Sequence, residues 1–109
     1  MEYKICKITI NRKIYNVYVA DTPIKRKLGL MFLKKLPAGM DGMMFIFNDY
    51  KKRMFWNKNT FMDLDVYWIH NNNIIQKQYL PSITREKSIF SIYSQRPVNI
   101  VVEIVKKNS

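Results

Sequence analysis

Apolar and polar positions alternate from the start of the chain. Residues 3–10 and 13–20 are rich in Ile, Val and Tyr at a two-residue period, and Asn11-Arg12 interrupts them. That pattern predicts two strands joined by a tight turn. The period breaks at ADTPIKRKLGLMF, residues 20–32. Asp21 or Thr22 offers a capping oxygen, and Pro23 fits a first helical position. Ile24 and Leu28 fall one turn apart, with Lys25, Arg26 and Lys27 on the outer side. This predicts one short helix near residues 22–30, ended by Gly29, and no other helix is legible. Residues 34–42 read as a loop punctuated by Pro37, Gly39 and Gly42. MMFIF, residues 43–47, is a short apolar run between Gly42 and Asn48-Asp49, which favours a strand buried on both faces. After an exposed turn at Lys51 to Arg53, Phe55-Trp56 opens the next strand. Residues 65–70 and 74–80 form a hairpin across NNN, since Asn tolerates positive φ, and Pro81 closes it. Residues 88–94 and 98–105 are the last strand candidates, split by Gln95-Arg96-Pro97.

Seven or eight short strands with one short helix predict a mainly β protein, a compact β-sandwich or partly closed barrel. At 109 residues the whole chain, 1–109, reads as a single domain with one core. No apolar run approaches the roughly 20 residues that span a bilayer. MEYKICKITI mixes charges into its apolar positions, where a signal peptide would place a basic segment before an apolar one. The expectation is a cytoplasmic protein with no membrane span.

Charge adds a second layer. Nineteen Lys and Arg face eight Asp and Glu, a formal charge of +11. The cations cluster at Lys25-Arg26-Lys27, Lys34-Lys35 and Lys51-Lys52-Arg53. Such a balance steers a chain toward nucleic acid or acidic partners. It also follows from a Lys-, Ile- and Asn-rich composition in which Lys keeps a small domain in solution, and that plainer reading is preferred. Cys6 is the only cysteine, so neither an intrachain disulfide nor a cysteine metal site is expected.

Candidate chemistry concentrates in FWNKNTFMDLDVYWIH, residues 55–70. Asp63 and Asp65 would share a strand face with Cα atoms about 7 Å apart, within reach of a paired-carboxylate hydrolase. The plainer reading has Asp65 accepting from the Asn59-Thr60 turn or pairing with Lys58. His70, the only histidine, alternates with Leu64, Val66 and Trp68 and so points away from the aspartates, which argues against a metal site. Trp68 reads as core; Trp56, beside the polar turn, reads as core or as a stacking platform. No phosphate loop, dinucleotide fingerprint or nucleophile elbow is present, so no cofactor is expected.

Several stretches, taken in order, resemble the domain-of-unknown-function family 192. They are VADTP at 19–23, LGLMF at 28–32, GMMFIF at 42–47, FW-x-KNT at 55–60, Leu64-Asp65, and YSQRPVNIVVE at 93–103. The resemblance runs from about residue 15 to 105. It implies a small β-sandwich or barrel with one helix and no established reaction, in a family whose bacterial members often look exported. The matching positions are Gly29, Met31, Gly42, Phe45, Trp56, Lys58, Asn59, Thr60, Leu64 and Asp65. The chain departs from the pattern at Asn57, where Met is usual, and at Asp63, where Pro is usual.

The leading expectation is a non-enzymatic binding module for a small polar or carbohydrate-like ligand. Trp56 would supply the platform, with Lys58, Asn59, Thr60 and Asp65 as polar partners. Gly29, Met31, Gly42, Phe45 and Leu64 would be structural. The alternatives are nucleic-acid binding through the basic surface and a hydrolase using Asp63 and Asp65.

Overall fold

A computed structural model describes residues 1–107. The opening hairpin pairs β1 (Lys4–Ile10) with β2 (Lys13–Ala20), and both turn residues, Asn11 and Arg12, take positive φ. β3 (Gly42–Lys51) then runs parallel to β2. A parallel neighbour requires a crossover, and α1 (Pro23–Leu28) with the loop after it supplies one. Thr22 caps α1 by accepting from the Lys25 amide, and Gly29 ends it at φ 51. A Cβ on Gly29 would also press to 3.3 Å from the Phe45 ring.

β4 (Met54–Trp56) precedes the hairpin of β5 (Leu64–His70) and β6 (Asn73–Leu80). A second helix, α2 (Ile83–Glu86), follows, then β7 (Ser91–Tyr93) and β8 (Val98–Val105). Among the described residues the main sheet has the order β1-β2-β3-β8-β5-β6, and β4 pairs with β7 in a separate ribbon. The fold is mainly β, as expected, with eight strands among the described residues. The sheet keeps β1 and β6 as edges and does not close into a barrel.

Two expectations need correction. One helix was expected, and α2 makes a second: Ser82 caps it, but four residues are too few to show a helical period. The apolar face of α1 does not enter the core. Ile24 is 66% exposed, and no α1 residue is fully buried.

The larger core joins one face of the main sheet to the β4–β7 ribbon. Phe45, Leu64, Val66, Trp68 and Val101 meet Met62 and Ile92 there, with Phe55 packed against them. Phe55 stands edge-on to both Phe45 and Trp68, with centroids 4.9 and 5.6 Å away, and this pins β4 to the sheet. A smaller cluster around Val17, Tyr67 and Val102 covers the opposite face. Among the described residues no helix is long and apolar enough to cross a membrane.

Candidate functional site

The crossover leaves α1 standing beside the β4 ribbon, and between them lies a cleft of about 710 Å³. One wall carries Ile24, Leu28, Met31 and Phe32; the other carries Met54, Trp56, Lys58, Asn59 and Thr60. Buried Leu30, Phe45 and Glu103 lie at its base. The two walls are joined at one end, where the Phe32 amide donates to the Asn59 carbonyl at 2.7 Å. Both residues hold positive φ, 69° and 54°. For the bulky Phe32 that is a strained conformation.

The polar turn 57–60 is held from behind. Asn57 is fully buried; its side-chain amide donates to the Pro81 carbonyl at 3.0 Å and accepts from the Phe90 amide at 2.7 Å. Thr60 donates to the Lys58 carbonyl, and the Thr60 carbonyl accepts from Ile83 at the start of α2. The turn is therefore clamped to the 81–90 segment, so Lys58 and Asn59 are presented from a fixed base.

Four of the five expected ligand positions meet here: Trp56, Lys58, Asn59 and Thr60 all line the cleft. Trp56 is 39% exposed, so the core alternative for it is corrected; β4 pairs only with the short β7 and leaves the indole on the surface. The Lys58 ammonium sits 5.3 Å above that ring. Asp65 is not among the lining residues. It pairs with Lys106 at 3.4 Å, and neither Lys58 nor the 59–60 turn reaches it. Gly29, Met31 and Phe45 also line the cleft, whereas Leu64 is core.

Asp63 precedes β5 and is occupied. It accepts from the Ser82 amide and pairs with Arg85 at 2.7 Å, contacts that hold its carboxyl down at about 2. Each aspartate is committed to its own cation, and neither lines the cleft. His70 lies against Tyr50 with the rings tilted by 51° and hydrogen-bonds with the Pro97 carbonyl.

The residue that sequence reasoning passed over is Glu103. It is 5% exposed, lies on central strand β8, and sits in register between Met43 of β3 and Val66 of β5, both apolar. Among the described residues no hydrogen bond or ion pair reaches its carboxyl, and since no buried side-chain oxygen or nitrogen is left without a partner, its oxygens meet solvent where the residue lines the cleft. Burial alone pushes that carboxyl up to about 8, because the charged form loses water without gaining a partner. The available signal was the lone carboxylate in the apolar run VNIVVEIV.

A family profile now meets this geometry: that of DUF192, described as an uncharacterized ACR, matches residues 6–108. The chain belongs to the DUF192 family. Two solved structures share this DUF192 fold. One, from Sinorhizobium meliloti 1021, is described as a proposed transcription regulator; it is 26% identical, with 94% of this chain and 79% of that one covered at a TM-score of 0.69. The other, from Novosphingobium aromaticivorans DSM 12444, is of unknown function; it is 21% identical, with 94% and 73% covered at 0.68. No curated protein matches the DUF192 chain.

Proposed function

We propose that this DUF192 chain is a binding module whose cleft takes a small hydroxyl-bearing ring, carbohydrate-like in having both an apolar face and polar edges. The observation that carries this reading is Glu103, a nearly buried residue with no hydrogen bond or ion pair to its carboxyl among the described residues, whose carboxyl reaches solvent only where it lines the open cleft. A carboxyl with so little solvent contact is poorly hydrated, which is costly. A ligand that hydrogen-bonds the carboxyl in place of that limited water offsets the cost.

The chemistry of the partner follows from the surroundings. A carboxyl raised to about 8 is mostly protonated near neutral pH, so it offers one donor and one acceptor. A hydroxyl matches both without burying a charge. Trp56 gives the apolar face of a ring a surface to lie on, and Lys58 and Asn59 stand at its edge. The cleft volume falls in the range of small-molecule sites.

Nucleic-acid binding finds less support. The role suggested for the Sinorhizobium relative fits it, but the lysines do not form one basic face: Lys4 and Lys7 stand on edge strand β1, and Lys77 stands on the opposite edge, β6.

Phenyl β-glucoside is a suitable probe, followed by tryptophan fluorescence. Saturable quenching that disappears in Trp56→Phe is expected, because Trp68 is fully buried. Glu103→Leu should weaken binding about ten-fold, the worth of a lost hydrogen bond. Absence of saturable binding, or unchanged affinity in Glu103→Leu, would overturn the reading.

A further inference from the structure

We infer that the ligand of this cleft carries an anionic group, a carboxylate or a phosphate, seated in a basic recess that continues from the cleft. The inference rests on the binding reading above and specifies the class of ligand.

The recess, about 350 Å³, shares Arg26, Lys27, Met54 and Phe55 with the cleft, so one molecule can occupy both. Its lining adds Lys52, Arg53 and Phe47, which gives four cations and no carboxylate. Its origin is the irregularity in β3, where pairing with β8 shifts register between Ile46 and Lys51. The Ile46 carbonyl is left to accept from Arg26 at 3.0 Å.

A basic surface on a chain of +11 is ordinarily a solvated one, and long cations there lose entropy on ordering. Here the two guanidiniums are already ordered. Arg53 donates to the Val98 carbonyl at 3.0 Å and to the Asp49 carboxylate at 2.8 Å, and it lies 3.6 Å from the centre of the Phe47 ring. Arg26 approaches the same ring at 5.3 Å. Asp49 is exposed and divided between Arg53 and Lys51, so it offsets little of the charge. Arg26, Lys27 and Lys52 have no carboxylate partner among the described residues. A guanidinium has five donors in a planar fork, and the bonds above leave donors on both arginines unused. Fixed guanidiniums with donors to spare, one of them (Arg26) without a carboxylate partner, beside flexible lysines bind carboxylate or phosphate well, because little ordering remains to be done.

The test compares phenyl β-glucoside, phenyl β-glucuronide and phenyl phosphate on the full chain by calorimetry, at low and at physiological salt. The glucuronide should bind on the order of ten-fold more tightly than the glucoside, as one charge-assisted hydrogen bond would give. That advantage should shrink in salt and in Lys27→Gln/Lys52→Gln, whose exposed side chains make no packing contribution that would threaten folding. Competition by phenyl phosphate would assign the anion as phosphate; its failure beside tight glucuronide binding would assign carboxylate. Equal affinity for glucoside and glucuronide would overturn the anionic assignment while leaving the binding reading intact. No binding of any of the three would overturn both.

Discussion

Gly42 and Glu103 touch through the backbone: a Cβ on Gly42 would overlap the Glu103 carbonyl oxygen outright. β3 can lie close to β8 at this point only because residue 42 has no side chain. That approach fixes the height of Glu103 at the base of the cleft. Gly42→Ala should therefore force the strands apart and cost about 2 to 3 kcal/mol, as overpacking in a tight interior does. A denaturant midpoint that drops accordingly is the expected result, and an unchanged midpoint would mean the strands part freely.

Glu103 should impose a pH dependence on stability. Its folded value, about 8, lies above the ordinary 4.5, so between those values the folded chain holds a proton that the unfolded chain has released. Stability from this group is then fully present below about 4.5, falls as pH rises through the window, and levels off above about 8. Glu103→Gln should remove that slope and gain on the parent as pH rises. Urea unfolding of both proteins from pH 5 to 8.5 measures it; parallel curves would show Glu103 to be an ordinary carboxylate.

Asn57 should behave as a latch for the cleft's polar turn. Asn57→Ala removes a buried donor to Pro81 and a buried acceptor for Phe90. The orphaned backbone groups make the loss about 2 to 3 kcal/mol. Hydrogen exchange should quicken at Thr60 and Phe90, whose amides bond to the Asn57 carbonyl and side chain, and leave the β1–β2 hairpin unchanged.

The two tryptophans should separate cleanly. Trp68→Ala empties a fully buried site and loses a hydrogen bond to Gln78, at about 3 to 5 kcal/mol. Trp56→Ala, at a half-exposed position, should cost under about 1 kcal/mol. Thermal midpoints of the pair decide it, and a comparable loss from both would place Trp56 in the core.

Much of the fold was legible because it is local. The Asn11-Arg12 and NNN turns and the Gly42-MMFIF run each declare themselves within ten residues. The β4–β7 ribbon did not, since Phe55-Trp56 and 91–93 pair across a long separation. The same distinction governs the site. Trp56 ends β4 and Lys58, Asn59 and Thr60 follow in the next turn, so their nearness to one another was legible in the sequence. Asp65 is nearly as close in sequence, but a strand carries it to Lys106. Glu103 is distant from the turn, and its importance depends on β8 lying between β3 and β5 with α1 crossing above. The lone carboxylate in VNIVVEIV signals an unusual position, but its place at the cleft is a property of topology.

On the proposed reading the Glu103 carboxyl, without a protein partner among the described residues, is the group that a ligand engages. Carboxyl-carbon NMR of the full chain, titrated with pH and then with phenyl β-glucuronide, addresses it most directly. Glu103 should titrate near 8 and its resonance should move saturably with ligand, while that of exposed Glu2 should not respond to ligand. A Glu103 signal that titrates in the ordinary carboxylate range and ignores the ligand would contradict that reading.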